Sequence, residues 1–194
     1  IAYAPFMSEA TPDASLTVNA LTNQSTEENV KSSDFLLMKA TVDPEQDLTA
    51  DGKLKISLNH AMSKLIIKIT VNGTTDASMS KLGDMAINGA VVNATCDLSA
   101  AAPVVVPAAD AVVATVAPYK GTESCECILP PQKIAEGFSV NFSYDGKLYI
   151  WTAKEAIELE KGVEHTLTLN VNTTVRLAAK VARNWATGQL IDRN

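Results

Sequence analysis

A change of parity in the spacing of apolar residues constrains the fold of this chain more than any other feature. In "LKISLNH" (54–60) the apolar residues and His60 occupy even-numbered positions, whereas in "KLIIKITV" (64–71) the apolar alternation occupies odd-numbered positions. Alternation with a period of two is typical of a β-strand with one buried face. One continuous strand cannot change parity, because a shift of one residue turns every side chain to the other face. We therefore predict two strands joined by a bulge or short turn at Ala61–Ser63.

A β-hairpin is the strongest local signal elsewhere in the chain. In "SVNFSYDGKLYIWTA" (139–153), apolar and polar residues alternate on both sides of Asp145-Gly146. An Asp-Gly pair between alternating segments predicts a type I′ turn. The segment "VEHTLTLNVNT" (163–173) alternates in the same way and predicts another strand.

Several weaker patterns also indicate strands. The segments concerned are 16–22, 36–42, 85–92 and 124–130. The two ends of the apolar segment 100–118 predict edge strands that flank its prolines. Segment 175–188 is ambiguous, because its Ala, Leu, Arg and Lys content favours a helix while its alternation favours a strand.

Many short strands without a regular βαβ rhythm predict an all-β protein built from antiparallel β-sandwiches. Prolines and glycines interrupt the strand pattern between residues 115 and 132. We place a domain boundary there, near Gly121. The predicted units are an N-terminal sandwich over 1–120 and a C-terminal sandwich over 121–194.

Charge and hydropathy exclude several classes of partner. The formal net charge is −6. An acidic chain is a poor match for nucleic acid or for an anionic lipid surface, both of which require clustered Lys and Arg. The longest apolar segment is interrupted by Pro103, Pro107 and Asp110 and does not reach membrane-spanning length. Because the sequence starts at Ile1 without a leader, we expect a processed or truncated product whose targeting signal has been removed.

The cysteines leave two alternatives open. Cys125 and Cys127 are two residues apart and share one face of a strand, so they are poorly placed to bond each other. A disulfide from Cys96 to one of them is one alternative, and three reduced, buried thiols are the other. With two histidines in the chain, a Cys/His metal site has little support.

No residue pattern indicates catalysis. His60 lies on the inward face of a predicted strand, so we expect a core histidine hydrogen-bonded to backbone; His165 is expected to face solvent. Common nucleophile and zinc motifs are missing from the sequence. We therefore predict a non-enzymatic protein without catalytic residues, a cofactor or a bound metal.

An acidic segment and two tryptophans are candidate binding sites. Segment 43–51 carries four carboxylates but lacks the glycine and terminal glutamate of an EF-hand loop, so we expect a solvated loop rather than a calcium site. Trp151 and Trp185 could stack on sugar, but Trp151 lies within an alternating strand and is expected in the core.

Six sequence blocks form an ordered set of motifs. The central ones are "SDFLLMKATV" (33–42) and, after a polar loop, "LKISLNHAMSKLIIKI" (54–69). The others are "AYAPF" (2–6), "ILPPQ" (128–132), "YIWTAKEAIELEKGVEHTLTLNV" (149–171) and "NWATG" (184–188). In this order, and over nearly the whole chain, the set resembles the fimbrillin family, the type V pilus subunits and related surface lipoproteins of Bacteroidetes.

The resemblance implies two transthyretin-like β-sandwiches in tandem, with 175–188 as a strand that leads into Trp185. The front of the chain departs from the family pattern, because the leader, the lipid-bearing Cys and the first strand are missing before Ile1. The N-terminal sandwich is therefore expected to be incomplete at its N-terminus.

The implied function is a non-catalytic structural or accessory subunit of a pilus at the cell surface. Family members are exported, anchored by lipid to the outer membrane and trimmed by an Arg-directed protease that removes an early strand. The open groove then receives an extended segment of the next subunit, which makes other pilus subunits the partners by strand exchange. The alternative is a tip adhesin or stand-alone surface lipoprotein that binds host glycan or host protein.

The distribution of arginine bears on this trimming. The first arginine of the chain is Arg176, whereas lysines are scattered throughout. An Arg-directed protease would therefore find no target in residues 1–175, and a processing site would have to lie upstream of Ile1. Low arginine usage and chance explain the same distribution without any protease.

Overall fold

The computed structural model describes residues 1–8, 11, 14–73, 75–172, 183–184 and 189–190; residues 75, 183–184 and 189–190 are described by backbone alone. In chain order the strands are β1 Ala2–Ala4, β2 Ser15–Thr17, β3 Leu36–Met38, β4 Asn59–His60, β5 Ser63–Val71, β6 Thr75–Asp76, β7 Leu82–Val91, β8 Ala94–Asp97, β9 Val105–Pro107, β10 Val113–Val116, β11 Tyr119–Lys120, β12 Cys125–Leu129, β13 Gln132–Ile134, β14 Ser139–Tyr144, β15 Lys147–Thr152, β16 Ile157–Leu159, β17 Glu164–Val171, β18 Arg183–Asn184 and β19 Gln189–Leu190. The predicted all-β class is confirmed.

Helix is confined, in the described part of the chain, to α1 at Glu27–Ser32 and a 3₁₀ turn at Met79–Lys81. Thr26 caps α1, because its hydroxyl accepts a hydrogen bond from the backbone N–H of Asn29 at 3.2 Å. Val30 is the buried residue of α1. Neither helical segment has the length and hydropathy that crossing a membrane would require.

Two larger sheets contribute to one hydrophobic core. The front sheet has the order β11-β12-β5-β17, with β6 also paired to β5, and the back sheet has the order β10-β7-β14-β15. Inward side chains of both sheets are buried, for example Ile67 on β5, Ile87 on β7 and Val140 on β14. Two three-stranded sheets, in the orders β1-β3-β4 and β2-β8-β9, also contribute residues to this core, such as Leu37 and Leu16.

The predicted break between two strands is confirmed at the joint between β4 and β5, but the predicted inward face of even-numbered residues before the joint is not, because Leu54 and Ile56 are exposed. Ala61 and Met62 are consecutive and both buried, at 0% and 2% exposure. The backbone N–H of Ala61 donates to the carbonyl of Phe35, and the carbonyl of Met62 accepts from the N–H of Gly162. The joint therefore passes the chain from the β1-β3-β4 sheet into the front sheet and restores an inward face on odd-numbered residues.

The strand predicted over 54–60 is mostly wrong. Only Asn59–His60 pairs with β3, and Leu54 and Ile56 are exposed at 37% and 50%. The strand predicted over 36–42 likewise ends at Met38. β3 and β4 pair with each other only through Leu36–Leu37 and Asn59–His60, so both strands are short.

The other local predictions were mostly confirmed. β14 and β15 form the predicted hairpin, with Asp145 at φ 52° and Gly146 at φ 77° as a type I′ turn requires. Trp151 is buried at 6% exposure and belongs to the core as expected. Segment 175–188 lies outside the described residues except for Arg183–Asn184, and the side chain of Trp185 is not described.

Strand pairing crosses the predicted domain boundary near Gly121. In the front sheet, β12 and β17 both pair with β5, and in the back sheet β14 pairs with β7. Both larger sheets thus contain strands from 1–120 and from 121–194. The division of the chain into two tandem units stays a prediction.

Candidate functional site

β17 forms a strand edge whose outer side has no partner among the strands that the structure describes. It pairs with β5 in parallel, from Glu164 opposite Lys64 to Val171 opposite Val71. At the two ends of this pair, the carbonyls of Val163 and Val171 accept hydrogen bonds from β5 and the residue after it, at 3.0 and 2.8 Å. Odd-numbered residues therefore direct their backbone groups towards β5, and even-numbered residues direct theirs to the open side.

Burial decreases along the inward face of β17 towards its start. Leu169 and Val171 are buried at 2% and 0% exposure, whereas Leu167 and His165 are half-buried. His165 was expected to face solvent; instead it lies in the inward row, and its Nε2 accepts a hydrogen bond from the backbone N–H of Glu160 at 2.9 Å. The first half of β17 thus combines free backbone groups with incompletely covered side chains.

Charged side chains connect β17 to its neighbours on the outer face. The ammonium of Lys64 lies 2.8 Å from Glu126 on β12 and 3.5 Å from Glu164 on β17. The hydrogen bond to Glu126, together with the two nearby negative charges, raises the pKa of Lys64 against the opposing effect of partial burial. These contacts hold the three strands in register at the end where β17 begins.

A cavity of about 250 Å³ lies at this end of the front sheet, below α1. We call it the α1 pocket. Its apolar part is formed by Val30, Met62 and Ile128, with Val163 beside them. Its polar part includes Asp34, His60, Lys64 and Glu164.

His60 is on the rim of the α1 pocket, and its predicted position in the core is wrong. Its side chain is 67% exposed, and Nδ1 lies 2.6 Å from Oδ2 of Asp34. The inward alternation that suggested burial ends at the joint, where Ala61 and Met62 take the buried positions. The other carboxylate oxygen of Asp34, Oδ1, is buried without a hydrogen-bond partner.

A histidine next to a carboxylate is one part of a nucleophilic site, which also needs a nucleophile within hydrogen-bonding distance of the imidazole. Two hydroxyl groups in this region donate hydrogen bonds to backbone carbonyls and not to the imidazole of His60. Ser63 donates to the carbonyl of Glu160, and Ser33 donates to the carbonyl of Asn29. The arrangement supports a structural link between His60, next to the joint, and Asp34, two residues after α1.

The acidic segment 43–51 is an exposed loop whose carboxylates bind its own backbone. Asp47 accepts a hydrogen bond from the N–H of Asp43 at 2.7 Å, and Asp43 accepts one from Glu45 at 3.0 Å. Within the described ranges no three potential metal-ligating side chains converge.

The three cysteines are free and buried, so the second of the two alternatives is confirmed. Burial raises the pKa of Cys125 to about 11 and that of Cys127 to about 12. Neutral thiols of this kind contribute to packing and are poor nucleophiles.

Sequence reasoning missed three residues that organise this region. Asp34 binds His60, Lys39 donates to the carbonyls of residues 98–100, and Gln24 pairs with the backbone of Ile128. Their partners are 26 to 104 residues away in sequence, and no periodicity marks such contacts.

Comparison with known proteins gives one family and a set of related folds. A family model described as fimbrillin-like matches residues 1–185. A solved structure from Bacteroides uniformis, provisionally described as a cell adhesion protein, superposes with a TM-score of 0.64 at 16% identity, over 98% of this chain and 69% of that chain. A second one from Bacteroides ovatus, with the same description, gives 0.63 at 14% identity, over 99% and 64%.

At these identities the similarity shows a shared fold. The chain spans less than two thirds of the length of the Bacteroides ovatus protein and slightly more of the Bacteroides uniformis protein. No curated protein matches the sequence.

Proposed function

The chain belongs to the fimbrillin-like family, and from this premise we propose that it is a non-catalytic structural or accessory subunit of a cell-surface pilus. In this proposal it assembles with other pilus subunits by accepting an extended segment as an additional β-strand, after proteolytic trimming of a lipid-anchored precursor at the outer membrane. The two tandem sandwiches predicted from the sequence belong to the same proposal.

The outer side of β17, which pairs with none of the strands that the structure describes, is the observation that supports this function best. Four residues of β17, namely Glu164, Thr166, Thr168 and Asn170, direct their backbone groups away from β5. An incoming strand would find hydrogen-bond donors and acceptors along this edge and would cover the half-buried Leu167. The same edge left unprotected would favour aggregation, so a specific partner strand is the expected complement.

Strand addition of this kind would be stabilised largely by the apolar side chains that the incoming strand buries. Burying five or six apolar side chains at about 1.5–3 kcal/mol each gives on the order of 10 kcal/mol before ordering costs. Subunits joined in this way would dissociate very slowly, as a filament under load requires.

An adhesin is the second candidate. The two related structures are provisionally described as cell adhesion proteins, and this chain exposes Leu54 and Ile56 next to its acidic loop. Such a protein would bind a host glycan or host protein as a tip subunit or stand-alone lipoprotein. The burial of Trp151 weighs against sugar stacking on that residue.

The full precursor distinguishes the two candidates. It is expressed, treated with an Arg-specific protease and run unheated in detergent, and the cleavage is verified by mass spectrometry. We expect a ladder of oligomers that collapses to one band on boiling. A single band after verified cleavage would contradict assembly and would favour the adhesin.

A further inference from the structure

Two Asn-Gly pairs occur in this chain, Asn72-Gly73 and Asn88-Gly89. In such a pair the asparagine side chain can cyclise onto the backbone, because the following glycine has no Cβ to shield its nitrogen. The two pairs lie in different surroundings, and the difference decides where this reaction can take place in the folded protein.

Asn72-Gly73 begins the turn that follows β5. The two residues have φ of 54° and 82°, consecutive left-handed conformations that Asn and Gly tolerate better than other residues. Asn72 is half-buried and Gly73 is exposed. The turn is held from β17, because Oδ1 of Asn170 accepts a hydrogen bond from the N–H of Gly73 at 2.7 Å. The nitrogen that would attack the Asn72 side chain is therefore tied to Asn170.

Asn88-Gly89 lies inside β7, which is paired on both sides. Asn88 is opposite Thr115 on β10 and Ser139 on β14. Both ends of its side-chain amide are also held, since Oδ1 accepts from the hydroxyl of Thr115 at 2.8 Å and Nδ2 donates to that of Ser139 at 3.4 Å. Cyclisation at Asn88 would therefore require the centre of the back sheet to open.

We propose that Asn72 is a deamidation site of the folded protein and that Asn170 controls its rate by holding the N–H of Gly73. In the reaction the nitrogen of Gly73 loses its proton and bonds to Cγ of Asn72, and the side-chain amide leaves as ammonia. Water then opens the succinimide ring at either carbonyl, which leaves aspartate or isoaspartate at position 72. Water is the co-reactant, and no electrons are transferred.

The hydrogen bond to Asn170 opposes the first step. A backbone nitrogen that donates a hydrogen bond must give up that bond before it can lose its proton and attack. Asn170 is itself oriented by Thr70 on β5, whose hydroxyl donates to the same Oδ1 at 3.4 Å. The rate at Asn72 is thus set by a side chain that lies about one hundred residues further along the chain.

Conversion of Asn72 would loosen the end of the front sheet. The N–H of Asn72 donates to the carbonyl of Val171 at 2.8 Å, directly after the last pair of β5 and β17. An isoaspartate carries the main chain through its side-chain carbon and so lengthens the backbone between this contact and Gly73. It also adds a carboxylate to a protein whose formal charge is already −6. The chemistry of this turn does not depend on the proposed function.

Incubation of the full chain at neutral pH, followed by trypsin digestion and mass spectrometry, tests the proposal. Lys68 and Lys81 flank Asn72, whereas Lys81 and Lys120 flank Asn88, so the two sites are measured in different peptides. The same chain incubated in guanidinium chloride gives the rate of each site without the fold. We expect both sites to convert in guanidinium chloride and Asn72 alone of the two to convert in the folded protein. Folded protein in which neither site converts, or in which both convert at equal rates, would overturn the assignment.

Variants at Asn170 test its control of the rate. Asn170→Ala removes the acceptor and should speed conversion of Asn72 about tenfold, the factor that corresponds to the loss of roughly one hydrogen bond. Asn170→Asp retains an oxygen acceptor for the N–H of Gly73 and should convert at close to the rate of the parent protein. Thr168→Ala, on the same face of β17 but two residues before Asn170, is the control for general loosening of the strand. Equal rates in Asn170→Ala and Thr168→Ala, or equal acceleration in Asn170→Ala and Asn170→Asp, would show that Asn170 does not control the reaction.

Discussion

The side-chain amide of Gln24 pairs with the backbone of Ile128 as a neighbouring strand would. Nε2 donates to the carbonyl of Ile128 at 2.8 Å, and Oε1 accepts from its N–H at 2.8 Å. Gln132 does the same at Val91, with both distances 2.9 Å. Each glutamine thus occupies backbone groups that an additional strand would need.

Gln24→Ala should lower the free energy of unfolding by about 2–4 kcal/mol, measured by urea denaturation. Gln24 is fully buried, so its loss leaves the donor and the acceptor of Ile128 unpaired inside the protein. Gln46→Ala, in the exposed loop, is the matched control and should change stability by less than about 0.5 kcal/mol. An effect as small as that of the control would show that water replaces the amide.

Thr168→Pro in the full precursor should abolish the detergent-resistant ladder while the subunit stays folded. The N–H of Thr168 points to the open side of β17, where proline is tolerated in an edge strand but cannot donate to an incoming one. Leu167→Pro is the control, because the N–H of Leu167 points towards β5 instead of the open side. This substitution removes a hydrogen bond to β5 and should destabilise the fold. A normal ladder from folded Thr168→Pro would exclude this edge as the acceptor.

Lys39→Met should destabilise the protein by about 1 kcal/mol and speed hydrogen exchange around residues 98–100. The ammonium of Lys39 donates to the carbonyls of Leu98, Ser99 and Ala100 at 2.8, 3.2 and 2.7 Å. Lys55→Met, at an exposed lysine, is the control for the loss of charge. Unchanged exchange at the 98–100 turn would show that the turn holds its shape without the ammonium.

Stability should fall as the pH rises from about 9 to about 11. The pKa values of Cys125 and Cys127 are raised by burial from 9.0 to about 11 and about 12. Between these values the unfolded chain releases protons that the folded chain retains, so unfolding becomes more favourable by about 1 kcal/mol per thiol near pH 10. Urea titrations at pH 8 and pH 10 measure the difference.

A Cys125→Ala/Cys127→Ala variant is the control for the thiol prediction. It should show a smaller loss of stability between the two pH values than the parent protein. An identical loss in both proteins would assign the effect to other titrating groups, such as Lys64, whose pKa is also raised.

Local chemistry in the sequence predicted those elements whose geometry is set by adjacent residues. The hairpin at Asp145-Gly146 is one, because its turn requires positive φ at two consecutive positions and its strands follow directly. The start of β5 at the joint is another, because the alternation in 64–71 is local and places its odd-numbered residues inward. The even-numbered inward face predicted before the joint was wrong, since Leu54 and Ile56 are exposed. The order of the sequence motifs along the chain indicated the family, and the family model confirms it over residues 1–185.

Predictions that depended on a distant partner were less accurate. The alternation in 54–58 is as regular as that in β5, but only β5 has neighbours on both sides. His60 could not be placed without Asp34, and the pairing of β17 with β5 rather than with a preceding hairpin strand has no local signal. No local pattern indicated that both larger sheets contain strands from either side of Gly121.

The parallel pair of β5 and β17 has a consequence for biosynthesis. Each residue from Lys64 to Val71 pairs with a residue that is synthesised 100 positions later in the chain. The front sheet therefore cannot close until residue 171 has emerged, and the cost in chain entropy of bringing such distant segments together slows folding.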